Sequence, residues 1–287
     1  MKDLNELIDI ISLEKIDDCL LRGNNYQTSW KRVFGGQVLA QALNAAYSTV
    51  PKDRIAHSLH SYFILSGDVD LPIIYQVETI RDGGSFTTRR VKASQKGKVI
   101  FVMAASFQLR QDGFDHHIDR PKVGEPKSFM TDIEQAETIK DLSPKIYQRL
   151  KSRHQNAIEF RPVEKYPFED FMSGNAERNV WMKTDPTHEL SLAMQHQLLA
   201  FASDYDLLMT SLYPHNNKVD MTKMFLASLD HAMWFHRDFD FKDWLLYAIN
   251  SPSASNSRGM GYGSIFDKKG RLVSTVMQEG LIRTIRS

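Results

Sequence analysis

Apolar residues in this chain follow two spacings, one helical and one alternating, and the order in which they occur repeats. Leu4, Leu7, Ile8, Ile11 and Leu20 recur near helical spacing, which predicts an amphipathic helix over residues 1–20. After Phe34-Gly35-Gly36-Gln37, the residues Val38, Leu39, Ala42, Leu43 and Ala46 form one apolar stripe. A helix is predicted there over 36–50, stopped by Pro51. The spacing then changes. Segments 57–65, 72–81, 85–95 and 98–110 are rich in β-branched and aromatic residues and are separated by Ser66-Gly67-Asp68, Asp82-Gly83-Gly84 and Lys96-Gly97. They predict four strands joined by turns.

Residues 111–156 are polar and contain Pro121, Pro126 and Pro144. A moderate helical pattern over 132–154 suggests a partly helical surface linker, the other reading being a long insertion within one domain. Beyond it the first pattern returns. Strands are predicted at 158–163 and 179–183 and a helix at 189–208. Further strands are predicted at 226–237, 244–251, 257–266 and 271–283.

The two passes share residues as well as pattern. Gln37-Val-Leu-Ala-Gln-Ala-Leu-Asn44 matches Gln197-Leu-Leu-Ala-Phe-Ala-Ser-Asp204. Ser58-Leu59-His60 matches Ser228-Leu229-Asp230, and Gln108 matches Gln278. Three matches in one order imply a tandem duplication. Each half is then expected to be a helix wrapped by an antiparallel sheet that buries the helix's apolar stripe, the hot-dog arrangement. The expected fold class is α+β, a tandem hot-dog. The expected division is 1–110 for the first domain, 111–156 for the linker and 157–287 for the second.

Composition narrows the class. The chain has 287 residues, 42% hydrophobic and 25% charged, ordinary for a soluble globular protein with ample core material. A formal net charge of +1 gives no global pull toward nucleic acid or an anionic membrane, though it leaves a local basic patch possible. Cys19 is the single cysteine, so no disulfide forms within the chain. The start is acidic and lacks the apolar run of a signal peptide, and the longest apolar stretch, near 99–107, is too short to span a bilayer. The last residues are not a Ser-Lys-Leu address. The expectation is a cytoplasmic protein without nucleic-acid or membrane partners.

The repeat also separates the halves chemically. The matched polar positions read Asn44, Ser58 and Gln108 in the first and Asp204, Ser228 and Gln278 in the second. Only the second set contains a carboxylate, so only it offers a general base at neutral pH. Asp204 would take a proton from water while Ser228 and Gln278 hold that water near an acyl carbonyl. Gly35 and Gly36, entering a helix, are candidate donors to the developing oxyanion. Each residue also has a plainer reading. Asp204 could be a solvent-facing carboxylate, Ser228 a small core residue and Gln278 a surface side chain. His231 and His236 are spaced to opposite faces of a strand, and no further Cys or His completes a zinc site, so no metal is expected. Gly83-Gly84 reads as a hairpin turn. Met260-Gly261-Tyr262-Gly263 reads as backbone accommodation within a strand.

Several longer motifs carry a resemblance. They are Val33–Ala42, Ala104-Ala105-Ser106-Phe107-Gln108, Ser203-Asp204, Ser228-Leu229-Asp230-His231-Ala232-Met233-Trp234-Phe235-His236-Arg237, Trp244-Leu245-Leu246-Tyr247, Ser257-Arg258-Gly259 and Gln278-Glu279-Gly280. With these the sequence resembles the acyl-CoA thioesterase II family of double hot-dog enzymes, nearly end to end. The resemblance implies hydrolysis of fatty acyl-CoA to free acid and CoA, with no metal or organic cofactor. It also implies a homo-oligomer, a tetramer or dimer, and places the water-activating Asp, Thr or Ser, and Gln on Asp204, Ser228 and Gln278. Many bacterial members carry Thr where this chain has Ser228. Ser supplies the same hydroxyl with less restriction at χ1. Two other readings stand beside it. One is a hot-dog hydratase or dehydratase on acyl thioesters, using His57, His60 or His231 for proton transfer. The other is a non-catalytic acyl-CoA binding module.

Overall fold

In the computed structural model, residues 2–28, 31–141, 144–153, 157–165, 175–218 and 223–284 are described. The chain opens with α1 (Leu4–Ile11), capped by Asp3, whose carboxylate accepts from the Glu6 N–H. It then turns into two short strands, β1 (Glu14–Asp17) and β2 (Leu20–Gly23). The helix expected over 1–20 is therefore shorter, because Ser12 is extended (φ −72°, ψ 121°) and the chain beyond it forms strands. There follow α2 (Gly35–Tyr47), β3 (Arg54–Phe63), β4 (Ile73–Asp82), β5 (Phe86–Gln95) and β6 (Lys98–Leu109).

The middle segment carries α3 (Asp132–Thr138), which starts with a Thr131/Glu134 capping box, and α4 (Pro144–Arg153). His154, the end of the predicted helical stretch, lies outside the described residues. The second pass supplies β7 (Ile158–Pro162), β8 (Glu177–Thr184), α5 (Leu192–Ser203), a 3-10 segment (Met209–Lys218), β9 (Met224–Ser228), β10 (Asp230–Phe235), β11 (Leu245–Ser255), β12 (Arg258–Asp267) and β13 (Leu272–Thr284).

All strands join one antiparallel sheet in the order β1-β2-β4-β5-β6-β3-β10-β13-β12-β11-β8-β7, with β9 also paired to β13. The order is a palindrome of the duplication. β3 and β10 meet at the centre, and each half runs outward through equivalent strands. At that seam Ser61 faces His231, and these two residues are themselves 170 apart, the spacing that relates Ser58 to Ser228. A local two-fold relation between the halves follows.

The helices α2 and α5 pack against each other inside this sheet. Every residue from Gly36 to Leu43 and from His196 to Ser203 is buried. Helices enclosed on all sides need apolar or small residues on all faces, as Ala40, Ala42, Leu198, Leu199 and Ala200 supply. Each fully buried Leu contributes about 1.5–3 kcal/mol relative to an exposed one. The tandem hot-dog architecture expected from the repeat is the one observed.

Two boundaries differ from expectation in ways that shape the site. The predicted helix 189–208 ends at Ser203, and the chain turns at Asp204 into the 3-10 segment. The predicted strand 226–237 is broken at Leu229. Its N–H bonds Glu279, its carbonyl accepts from the Phe63 N–H, and beyond it the strand gains β3 as a second partner.

Candidate functional site

Asp204 is the C-cap residue of α5, with φ −80° and ψ −1°. A carboxylate at the end of its own helix meets the negative end of that macrodipole. Its favourable partner comes from the other half. Helix α2 is preceded by Phe34, which supplies no side-chain cap; its carbonyl accepts from the Gln37 and Val38 N–H groups, which leaves those of Gly35 and Gly36 without an acceptor inside the helix. The Gly36 N–H donates to Asp204 Oδ2 at 2.9 Å, across 168 residues of sequence. Asp204 thus caps α2 from outside, where the helix's positive end favours its charge. Glycine is required for this approach. A Cβ on Gly36 would lie 2.4 Å from the Phe201 carbonyl, and one on Gly35 would lie 2.8 Å from Asp204 Oδ2.

The other carboxylate oxygen belongs to β13. Gln278 Nε2 donates to Asp204 Oδ1 at 2.8 Å and to Ser228 Oγ at 3.0 Å. Ser228 is the last residue of β9, just before the break at Leu229, and stands across from Gly280. Asp204, Ser228 and Gln278 therefore meet around one amide group.

The orientation of that amide has an internal support. Ser203 Oγ donates to the Ala200 carbonyl at 2.8 Å, so it accepts from His231 Nε2–H at 2.9 Å. His231 Nδ1 is then a lone pair, and it stands 3.3 Å from Gln278 Nε2. Turning the Gln278 amide over would set its carbonyl oxygen against both a carboxylate and this lone pair. Burial pushes His231 down to about 3, so it stays neutral and keeps that lone pair at physiological pH.

Asp204 and Ser228 open onto a cavity of about 910 Å³, the scale of a small-molecule site. Its walls include Phe34, Phe63, Leu65, Leu207, Met224 and Leu226. Gln278 is only 1% exposed and sits behind the two residues it holds. Asp206, two residues past Asp204, is buried and pairs with the fully buried Arg178 at 3.4 Å, which anchors the turn that carries Asp204. The turn between Asp204 and the 3-10 segment lies close on β12, where a Cβ on Gly261 would reach within 2.6 Å of the Leu207 carbonyl. This is the backbone accommodation expected of the alternating glycines.

The first-half counterparts do not assemble. Asn44 donates to Gln197 Oε1 at 3.1 Å, and Gln108 donates to the exposed Gln111. Strand register explains why. Ser58 stands opposite Ser106 on β6, whereas Ser228 stands opposite Gly280 on β13. Tyr62 stands opposite Val102, whereas Ala232 stands opposite Met277. Gln278 is thus level with Met103 and Ala104 of the first half rather than with Gln108, which corrects that match.

The histidines considered for proton transfer lie elsewhere or are occupied. His57 Nε2 bonds Ser106, His60 packs edge-on against Trp234, and His231 is fully buried with both ring nitrogens engaged. Among the described residues no group of three or more His, Cys, Asp or Glu is arranged to hold a metal, and no helix is long and apolar enough to cross a membrane. Sequence reasoning missed Gly36 as the partner of Asp204, and it missed the Ser203–His231 support.

Comparisons with known proteins place the chain in a family. Residues 151–281 match the acyl-CoA thioesterase family model, and residues 26–108 match that of the acyl-CoA thioesterase N-terminal domain. The chain is 40% identical over 282 residues to acyl-CoA thioesterase 2 of Haemophilus influenzae, covering 98% of both chains. It is 38% identical over 287 residues to human acyl-coenzyme A thioesterase 8, covering 96% of this chain and 88% of that one. Among solved structures it is similar to the acyl-CoA thioesterase II TesB2 of Mycobacterium marinum, with a TM-score of 0.79 and 35% identity, covering 97% of this chain and 98% of that one. With such relatives matched over nearly its whole length, the chain belongs to the acyl-CoA thioesterase family.

Proposed function

We propose that this protein hydrolyses fatty acyl-CoA to free acid and CoA, with Asp204 as the general base. One observation carries the reading. Asp204 is held at both oxygens, by Gly36 N–H and by Gln278 Nε2, while standing beside Ser228 in the wall of a largely apolar cavity. A carboxylate fixed by two donors keeps lone pairs for a water, and its orientation is set before substrate arrives.

Asp204 takes a proton from a water that the Ser228 hydroxyl helps to place, and the resulting hydroxide adds to the thioester carbonyl. The carbonyl oxygen gains the charge, the oxyanion collapses as the C–S bond breaks, and the proton held by Asp204 passes to the leaving sulfur, so CoA leaves as the thiol and the carboxylate is restored. Gln278 acts from behind, positioning Asp204 and Ser228. The Gly36 N–H is committed to Asp204, so Gly35, which lines the cavity, is the donor that α2 offers the oxyanion. Asp204, Ser228 and Gln278 are the site residues of this reading, and no step needs a metal or organic cofactor.

The same reading takes the protein as a cytoplasmic homo-oligomer, tetramer or dimer, divided at 1–110, 111–156 and 157–287. Exposed apolar side chains at Tyr62, Ile64, Phe114 and Ile118 support subunit contacts, and light scattering reads the oligomer directly. The activity is tested by thiol release from a series of acyl-CoA esters of increasing chain length. Release of CoA in step with free acid is expected. Loss of enoyl absorbance without thiol release would place the protein among hydratases instead.

A further inference from the structure

The overall charge of the chain is close to zero, but the rim of the cavity is not neutral. Arg32 lines the cavity three residues before Gly35, and Phe225 lines it three residues before Ser228 on β9. The Arg32 guanidinium lies 5.1 Å from the centre of the Phe225 ring. Arg283 stands directly across from Phe225 in the β9–β13 register, and its guanidinium lies 6.0 Å from the same ring. Two exposed cations are thus gathered on one aromatic post.

Neither arginine forms an ion pair with a carboxylate among the described residues. Segments 31–39 and 223–229 contain no Asp or Glu, while Lys31 adds further exposed positive charge. Cation–π contact with Phe225 offsets part of the repulsion between the two guanidinium groups but neutralises neither. Guanidinium groups bind phosphate oxygens through paired, charge-assisted hydrogen bonds, so a polyanion completes this arrangement.

Position along β9 indicates which end of a substrate meets them. A strand advances about 3.3 Å per residue, so Phe225 lies roughly 10 Å from Ser228. Alternation also sends the Phe225 side chain to the opposite face of β9 from Ser228. The edge of β9 away from β13 has no strand partner among the described residues, and the cavity takes in residues from both faces of β9. A thioester held at Asp204 and Ser228 can therefore bury its acyl chain among Phe34, Phe63, Leu207 and Leu208 while its carrier arm leaves past β9.

We propose that Arg32 and Arg283, braced on Phe225, bind the phosphate groups of the CoA moiety. The proposal rests on the acyl-CoA reading of the site and adds the residues that recognise the carrier.

The test compares an acyl-CoA with the N-acetylcysteamine thioester of the same acid, which has no phosphate. Wild type, Arg32→Gln, Arg283→Gln and the double variant are assayed on both. The ratio of kcat/KM for the CoA ester to that for the phosphate-free ester is expected to fall about tenfold in each single variant and further in the double. The KM of wild type for acyl-CoA is expected to rise with salt more steeply than that of the double variant. A ratio equal to wild type overturns the proposal. So does a loss of the same size on both esters, which would make the arginines structural. The 3′-dephospho ester assigns the contact within the carrier. A penalty that persists on it places the pair at the pyrophosphate, and one that vanishes places it at the 3′-phosphate. Calorimetric binding of free CoA to the same four proteins keeps this result separate from the activity. Weaker binding by the variants supports the phosphate site even if wild type hydrolyses no ester, and equal binding overturns it even if wild type is active.

Discussion

The two halves of this molecule share a fold and differ in what stands at the start of the buried helix. In the second-half site, Asp204 meets α2 at Gly36, the second residue of a helix whose N-cap side chain supplies no acceptor. At the repeat spacing of 160 that relates Asn44 to Asp204, Gly36 corresponds to His196. His196 is already the fifth residue of α5, so its N–H lies within the helical ladder. Its side chain is buried, stacked on Phe235 at 4.2 Å and bonded to the Tyr47 hydroxyl at 2.9 Å. Phe235 in turn corresponds, at the spacing of 170, to Leu65 on the cavity wall. An open pocket with a free helix start in one half is thus an aromatic plug with a continued helix in the other. Duplication preserved the packing in both places, and the anion site needed a late helix start, two glycines and a carboxylate together.

The comparison can be broken most severely at the carboxylate. Asp204→Asn is expected to lower kcat by about 10²–10⁴-fold with little change in KM, as for loss of a general base. It also has a stability cost. Both Asp204 oxygens face donors, and an amide can accept at only one end, so one donor-to-donor contact remains. A loss of about 1–3 kcal/mol in denaturant unfolding is expected.

Next in size is Gly36→Ala, which makes the second half resemble the first. Its Cβ cannot fit within 2.4 Å of the Phe201 carbonyl, so α2 must shift away from Asp204. A loss of about 1–3 kcal/mol is expected, with kcat falling by more than the remaining folded fraction explains. Gln278→Ala is expected to reduce kcat while Ser228→Thr preserves it, and both are read by steady-state kinetics. His231→Phe removes the lone pair that orients Gln278. Its effect on kcat is expected to be largely absent in a Gln278→Ala background, and a double-mutant cycle checks this.

A smaller effect distinguishes the halves by pH. Burial pushes both His196 and His231 down to about 3, from 6.5 when exposed. Below pH 6.5 the unfolded chain binds protons that the folded chain refuses. Stability is therefore full above pH 6.5 and falls as pH drops below it, with each buried histidine adding to the slope. Replacing His196 with Phe should remove its share of that slope, measured as Tm against pH, while leaving kcat near wild type. Asn44→Asp should have the least effect, creating no second site because His196 and Phe235 occupy the place of the cavity.

Much of this arrangement was legible in the sequence because duplication supplies its own control. Asp204 stands out against Asn44, while Ser228 is matched by Ser58, without any other sequence for comparison. The expected architecture followed from one helix and a strand meander occurring twice. Other features depend on contacts that local pattern does not encode. The break at Leu229 falls inside a single predicted strand, because it marks a change of strand partner rather than a turn residue. The Gln108 match failed because register differs between β6 and β13. Gly36 reaching Asp204 is capping across 168 residues, invisible to rules that look three residues ahead. His231 entered the sequence reading as a metal or proton-transfer candidate, and its part in orienting Gln278 emerges only from the two bonds on its ring.

The central claim is that Asp204 is the base of an acyl-CoA hydrolase. It is tested most directly by thiol release from a saturating fatty acyl-CoA, with wild type and Asp204→Asn measured in parallel at matched folded concentration. The account predicts steady CoA release by wild type and a rate at least about a hundredfold lower for the variant. A variant within a few-fold of wild type would contradict it.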